Sequence, residues 1–571
     1  MNDHRNVLLA ILLSAVVLLG WGYVSSRWIP TANPPATKVV DGKQVPIPQP
    51  QAGPAVQTAT SARDRSLVLR ESPRIAIATP RLSGSINLKG ARIDDLLLTT
   101  HHEGIGANSP AIRLLSPAGT SDSYFTSFGW SGDNIVLPGP DTLWTATGSR
   151  LTPATPVTLS WDNGHGQTFR IRLAVDDGYL FTAGQRIENH GAGAVAARTY
   201  GLISRATASR DPSSWTMHVG PVGVFNGAAD YGWTFDKLKK DGDQRFSTTG
   251  GWIGFTDKYW LTALAPDQSS HVDTSFRLGR SGGFQADFAG QPAVVAPGHA
   301  AVMESHFFAG AKEVKLLDRY QNELGIAKFD KAIDWGWFEW FMKPIFMLLL
   351  WLYGQIGNFG VAIICLTLIV RTLMFPIAQK QFKSMAGMRV LQPKMKVLQD
   401  RHKDDKPRLQ QEMLKLYQEE KVNPMAGCLP IFIQIPIFYA LYKVLMVSVE
   451  MRHKPFALWI KDLSAPDPLT PVNLFGLLHF TPPPYLALGV LPILLGITMW
   501  LQTRLNPPPT DPVQKQMMMI MPWAMMFIFA PFAAGLQLYY VFNNLYGLAQ
   551  QRWLYSRYSP EKESRKTVAK R

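Results

Sequence analysis

Arg371 is the residue of this 571-residue chain whose position demands a chemical explanation. It stands in the run Asn358-Phe-Gly-Val-Ala-Ile-Ile-Cys-Leu-Thr-Leu-Ile-Val-Arg371-Thr-Leu-Met-Phe-Pro376, otherwise apolar enough to read as a membrane span. A guanidinium there costs roughly 2.5–3.5 kcal/mol on insertion scales, and Arg cannot discard its charge as a buried Lys can. Snorkelling to the nearer interface is one resolution. The apolar Leu373-Met-Phe-Pro-Ile-Ala378 immediately after it favours another, a water-filled recess inside the membrane. Thr367 lies one turn earlier on the same face, Gln434 sits in Ile431-Phe-Ile-Gln-Ile-Pro436, and Gln537, Tyr540, Asn544 and Gln551 recur at three-, four- and seven-residue intervals. For Gln434 alone, ordinary interhelical hydrogen bonding of about 0.6–2 kcal/mol is sufficient. Arg371 is different, because the apolar segments hold no Asp or Glu, and Glu450 stands at the outer end of its helix. A proton relay or ion-coupled carrier needs such carboxylates. The chemistry predicted is electrostatic and non-covalent: a fixed cation in a wet recess, awaiting an acid brought by something else.

The elements that position these groups are set by hydropathy. Apolar segments occur at Val7–Val24, around Arg371, at 427–449, 485–501, 517–532 and 536–548. Between Pro376 and Gly427, residues 380–423 carry both charges with basic excess, and Met385, Met388, Leu391, Met395 and Leu398 precede Leu409, Met413, Leu416 and Tyr417 at helical spacing. With Asp404-Asp-Lys-Pro407 as the turn, this predicts an antiparallel helical hairpin, cytoplasmic by its Lys/Arg excess. The tail is basic too, so six spans with both termini inside satisfy the charged loops. Met517, Met518, Met519, Met521, Met525 and Met526 crowd the fifth span. Thioethers suit a surface accepting varied apolar partners, and plain lipid-facing filler is the competing account.

The first half is polar. Residues 1–28 read as an uncleaved membrane anchor behind Arg5, and 29–65 as a Pro-rich linker. Residues 66–333 show short alternating runs, such as Arg74-Ile-Ala-Ile-Ala78 and Thr168-Phe-Arg-Ile-Arg-Leu-Ala174, broken by Gly, Asp and Asn. They predict an exported β-sandwich, with His101, His102, Asp162, His165, Asp176 and Asp177 as loop residues lacking metal-ligand spacing. Lys312 to Asp330 predicts a helix with Leu316, Leu317, Tyr320 and Leu324 on one face. Residues 334–356, with Trp335, Trp337, Phe338, Trp340 and Phe341, predict an amphipathic helix lying at the membrane surface. A net charge of +15 favours contact with RNA or anionic lipid, but no zinc-finger, helicase or RNA-binding-strand pattern accompanies it. Cys365 and Cys428 both fall in apolar segments, so the exported domain is expected to rest on its core, not on disulfides.

Several stretches together carry a resemblance. They are Leu391-Gln-Pro-Lys394, Glu419-Glu-Lys-Val-Asn-Pro-Met-Ala-Gly-Cys-Leu-Pro430, Gln434-Ile-Pro-Ile-Phe-Tyr-Ala-Leu-Tyr442, Pro455-Phe-Ala-Leu-Trp-Ile-Lys-Asp-Leu-Ser-Ala-Pro-Asp467 and Gly535-Leu-Gln-Leu-Tyr-Tyr-Val-Phe-Asn-Asn544. From about Ile345 to Leu554 the chain resembles the YidC membrane protein insertases, and the anchor and exported domain resemble the Gram-negative form of that YidC/Oxa/Alb family. The resemblance implies a six-span α-helical inner-membrane protein with a periplasmic β-sandwich, a five-helix core at 357–556, and a basic cytoplasmic tail at 557–571. It implies a groove open to cytoplasm and lipid and closed outside, with Arg371 as its arginine, Thr367 beside it, and Gln434, Gln537, Tyr539, Tyr540 and Asn544 around it. Ile431, Ile435, Met521 and Met525 fall on the two spans resembling a slide for the departing client helix. No cofactor, metal or covalent chemistry is implied. The partners implied are nascent membrane proteins, the Sec translocon, the ribosome and targeting machinery through the hairpin and tail, and anionic lipids. Lys443 departs from the family pattern, which has an uncharged residue there, and is expected to snorkel outward. The competing readings are a secondary transporter, whose inverted repeats and carboxylates are not visible, and a membrane-anchored carbohydrate-active sandwich, for which no carboxylate pair can be chosen.

Overall fold

The structure is a computed structural model that describes residues 39–40, 43–44 and 63–557, except 212–216, 280–281, 337, 403–404, 421–428, 476, 479–487 and 506–511. The side chains of 39–40, 43–44, 381–390, 406, 429–433, 512–514, 555 and 557 are also outside the description. The proposed anchor and basic tail therefore lie outside the described residues, as do Trp337, Cys428 and most of the linker. The chain divides into two compact units, Met1–Asp334 and Trp335–Arg571.

The first unit is built from two large antiparallel sheets, one of nine strands and one of eleven, with a single parallel pairing at one edge of the latter. Alternation does the work expected of it. In Gln167–Val175 the side chains of Phe169, Ile171, Leu173 and Val175 are buried, while Arg170 and Arg172 face out. The register Phe169↔Ile187 and Ile171↔Gln185 carries that division into the next strand. The sheets pack face to face: Phe255 of the nine-stranded sheet meets Phe276 of the eleven-stranded one at 6.4 Å, and Gln185 Nε2 reaches across to Gly129 O at 2.7 Å. Arg205, buried between them, makes paired bonds of 3.0 and 2.9 Å to Asp257. Asp176 accepts from Tyr320 and Arg319, which makes it a structural acceptor.

Three local expectations change here. His101, His102 and Asp162, expected in loops, stand at the ends of the strands Arg92–His102 and Val157–Asp162. The helix covers only Val314–Glu323, and Leu324, expected on its buried face, is 42% exposed at the C-cap. The reason is Gly325, whose φ of 67° ends the helix before Leu324 can turn inward.

The second unit is helical. Helix α1 (Glu339–Ile356) ends on Gly357 in the left-handed conformation, and Asn358 at once caps α2 (Phe359–Leu373) by accepting from Val361 N at 3.1 Å. The stack of Tyr353 on Phe359, 3.7 Å between centroids, fixes this tight reversal. Helix α3 (Phe375–Arg401) starts five residues before the expected hairpin boundary, because Pro376 falls in its first turn, where a missing N–H costs nothing. It pairs with α4 (Lys406–Glu419), capped by Asp405, through Met395 and Tyr417 and the Lys394–Glu420 ion pair. Beyond them lie α5 (Leu429–Val447), α6 (Val490–Leu505), α7 (Pro512–Phe529) and α8 (Ala534–Arg557). Helix α8 is central, packing on α2, α3, α5 and α6.

The six transmembrane helices expected from hydropathy do not appear as such: among the described residues, no helix is long and apolar enough to cross a membrane. The first expected span lies outside the described residues, and length and polarity account for two of the others. Helix α2 has 15 residues, a rise of about 22 Å against a hydrocarbon core of about 30 Å. Helix α8 is longer, with 24 residues, but Gln537, Asn543, Asn544, Gln550 and Gln551 interrupt it.

Candidate functional site: a polar seam around Arg371

Arg371 occupies the last turn of α2, where the carbonyl ends of the helix favour a cation. Its Nε donates to Asn543 Oδ1 at 2.7 Å and its Nη2 to Asn543 O at 3.2 Å. Both acceptors are neutral and belong to one residue of α8. Among the described residues no carboxylate pairs with it, so the charge is oriented without being neutralised.

Around that pair the seam is built from one face of α8. Tyr539 stands one turn before Asn543, buried, and accepts from Gln434 Nε2 of α5 at 2.7 Å. Tyr546, nearly one turn beyond, lies 3.4 Å from the Thr372 hydroxyl. Gly547 is where the seam narrows: a Cβ there would stand 3.1 Å from Gln502 Nε2 and 3.7 Å from Arg371 Nη2. Helices α2, α5, α6 and α8 thus converge on Arg371 through Gln434, Tyr539, Asn543, Tyr546 and Gln502.

The expected residues divide accordingly. Arg371, Gln434 and Tyr539 come together. Gln537 does not join them: fully buried, its Nε2 donates to the carbonyls of Phe529, Ala530 and Phe532 at 2.9, 3.2 and 2.8 Å, closing the end of α7. Asn544 turns to the other side of α8 and donates to Thr498 of α6 at 3.1 Å. Thr367 is buried, and its hydroxyl donates back to Ile363 O at 2.7 Å, so it faces the packed bundle. Tyr540 belongs to an aromatic cluster, 4.6 Å from Phe529 and 5.3 Å from Phe438, that ties α5 to α7. The seam is therefore the stripe Tyr539–Asn543–Tyr546–Gly547, about 100° round the helix from the expected Gln537–Tyr540–Asn544 stripe. Both stripes are polar and buried, and only packing decides which one meets Arg371.

On the expected slide, Ile435 is 56% exposed, Met521 is exposed and Met525 half-buried. The side chain of Ile431 lies outside the described residues. Lys443 overturns its expectation: it is 1% exposed, held inside the bundle and not snorkelling. It lies three residues from the buried Ala440 and four from the buried Val447, on one face of α5.

The opposite end of the bundle is closed by the segment after α5. Phe456 packs on Gly360 so closely that a Cβ there would fall 2.0 Å from the ring, and Asn358 Nδ2 donates to Phe456 O at 2.8 Å. Asp467, buried, accepts from Trp459 Nε1 at 2.9 Å, Leu469 N at 3.0 Å and Leu491 N at 2.7 Å, and so caps α6. Ala534 N and Gly535 N, opening α8, bond to Ala465 O and Leu463 O. From Gly360 to Arg371 is about 16 Å along α2. One end of the seam is thus sealed by hydrogen bonds, and the charge sits at the other.

Comparison with known proteins gives the family. A family model described as "60Kd inner membrane protein" matches residues 351–562, and one described as "YidC periplasmic domain" matches residues 74–348. The membrane protein insertase YidC of Zymomonas mobilis is 51% identical, over 100% of this chain and 98% of its own length. That of Rhizobium johnstonii is 44% identical, over 99% of this chain and 97% of its own. The chain belongs to the YidC family of membrane protein insertases. A crystal structure of an active YidC insertase is also similar, with 19% identity, a TM-score of 0.37, and coverage of 84% of this chain and 92% of that one. As a YidC-family protein, the chain is an inner-membrane insertase with a β-rich periplasmic domain. Its task is the insertion of proteins into the membrane.

Asn543, Tyr546, Gln502 and Gly547 are not assigned by sequence reasoning. Asn543 is adjacent to an assigned residue, and the tandem Asn543-Asn544 in an apolar helix is the available signal: two amides 100° apart must serve two neighbours. Asp467 carries no signal beyond its motif.

Proposed function

We propose that Arg371 and the α8 face around it form a hydrated groove, open to the cytoplasm, that receives the polar tail of a nascent membrane protein. The observation that carries this reading is the Arg371–Asn543 pair. A guanidinium held by a neutral amide, with no acid beside it among the described residues, keeps its attraction for an acidic client segment. The 15-residue α2 assists, since a bilayer thinned to match it lowers the barrier for translocating that tail. The client's apolar helix leaves along Ile435, Met521 and Met525, where exposed thioether and aliphatic groups accept varied side chains. The proposed topology has six spans, both termini cytoplasmic, and α1 at the outer membrane surface with Trp340 and Trp351, 71% and 60% exposed, in the interface.

The sealed end formed by Phe456 and Asp467 supports a groove closed toward the periplasm. The α3–α4 hairpin and basic tail are proposed to meet the ribosome and targeting machinery, and the lipid-facing cations anionic headgroups. Cooperation with the Sec translocon belongs to the same reading. Deleting 560–571 should weaken ribosome binding, which should also fall at raised ionic strength, as measured by co-sedimentation; binding indifferent to both would leave the tail as a topological anchor. The test of the main proposal is reconstitution of the purified chain in liposomes with a small single-span client. Insertion that requires Arg371 and a client acid supports it; insertion indifferent to both removes it.

A further inference from the structure

The face of α8 that meets Arg371 does not end at Gly547. Gln550 stands seven residues beyond Asn543, about two turns on and within about 20° round the helix, so it continues the same stripe about 10 Å further along. That direction leads away from the end where Ala534 and Gly535 are tied to Ala465 and Leu463. Gln550 is 7% exposed, and its Nε2 has no hydrogen-bond partner among the described residues. Buried amides in folded proteins are paired or hydrated, so a bare one marks a place for an acceptor. No side chain of α8 screens it from the arginine, because the position between them on this face is Gly547, where a Cβ would stand 3.7 Å from Arg371 Nη2. One turn past Gln550, Trp553 meets Phe375 at the start of α3, with 5.7 Å between ring centroids.

We propose that Gln550 is a second client-binding residue of the groove, taking a backbone carbonyl of the nascent chain while Arg371 takes its acid. The proposal rests on the reading that the seam around Arg371 receives a client tail. Chain geometry selects the occupant. With the far end sealed, a tail whose carboxylate reaches Arg371 must run along α8 toward the open end, and that path passes Gln550. An extended chain advances about 3.3–3.6 Å per residue, so about three residues span the distance from Asn543 to Gln550. The chemistry of the side chain agrees. A Gln carboxamide is uncharged and carries the donor and acceptor of a peptide group. A lipid phosphate calls for a cation at this position, whereas a neutral amide matches a neutral carbonyl. Every client backbone presents carbonyls whatever its sequence. Gln550 therefore gives the groove a hold that does not depend on the charge of the tail.

The test is insertion, by the purified full chain in liposomes, of two forms of one small single-span client. One form has an acidic tail, and the other has each tail Asp or Glu changed to Asn or Gln. Gln550→Met keeps the length of the side chain and removes its hydrogen-bonding groups. The proposal expects this variant to insert both clients about three- to tenfold less well, the size of one lost hydrogen bond. Its melting temperature should be unchanged or raised, because a bare buried donor has been removed. Unchanged insertion overturns the proposal and leaves Gln550 hydrated only. A loss accompanied by a lower melting temperature overturns it in favour of a structural role. A loss confined to the acidic client also overturns it, since Gln550 then acts through Arg371. The charge reading fails separately: it expects Arg371→Ala to lower insertion of the acidic client alone, and an equal loss for both clients removes it while the Gln550→Met result still decides this proposal.

Discussion

Asn543 makes Arg371 a positioned charge. Two hydrogen bonds to one neutral residue fix the guanidinium yet leave its field intact, which a carboxylate partner would not do. If charge is what matters, Arg371→Ala should abolish most insertion of clients with acidic tails, and Arg371→Lys should retain most of it, because an ammonium also can bond Asn543 Oδ1. Reconstituted insertion assays decide this; a Lys variant as inactive as Ala would assign the role to the donor fork. The second expectation concerns the pair. Asn543→Leu should lower insertion nearly as far as Arg371→Ala, and the double variant should be little worse than either. A coupling of about 0.5–3 kcal/mol is normal for residues in direct contact. Additive losses would show that Asn543 acts elsewhere, whereas Asn544→Leu, aimed at Thr498, should reduce stability more than client selectivity.

At the scale of elements, the closed end depends on α2 approaching Phe456 without a side chain between them. Gly360→Ala would drive a methyl into that ring, and overpacking of this kind costs about 1–3 kcal/mol. The purified variant should melt lower and leak across the seal, as read by periplasmic-side labelling of Thr367→Cys. Gly354→Ala on α1, with open space around it, is the matched control and should leave melting unchanged or slightly raised. An unchanged Gly360→Ala would mean that Phe456 yields easily and the seal lies with Asp467.

For the whole molecule, the division after Asp334 separates all the seam residues from the β-rich periplasmic unit. That unit holds its own core between two sheets, so its removal takes nothing from the seam. Deleting 66 to about 300, keeping Lys312 onward, should leave much client insertion intact in liposomes. Removing 335–351 as well should abolish it, since Phe346 and Leu349 on α1 are fully buried within the helical unit. An inactive but folded first deletion would locate part of the mechanism in the periplasmic unit, and saccharide turnover by the isolated domain would revive the carbohydrate-active alternative.

Sequence by itself determined the features that local period and energetic cost dictate. Alternating Phe169, Ile171 and Leu173 dictated strands because a period of two sorts side chains onto two faces. Arg371 marked the site because a charge in an apolar run is expensive wherever the neighbours stand. The hairpin around Asp405 came from helical spacing on both sides of a turn. Only the tertiary structure decided which of two equally polar faces of α8 meets Arg371. Asn543 and Asn544 are adjacent, chemically identical and both buried, so one is the arginine's partner and the other a bond to α6 solely through the rotation of α8 in the bundle. Gln537 closing α7, Lys443 turned inward and Asp467 capping α6 are of the same kind. Gln537 bonds to the end of α7 and Asp467 to the start of α6, partners that no local pattern encodes.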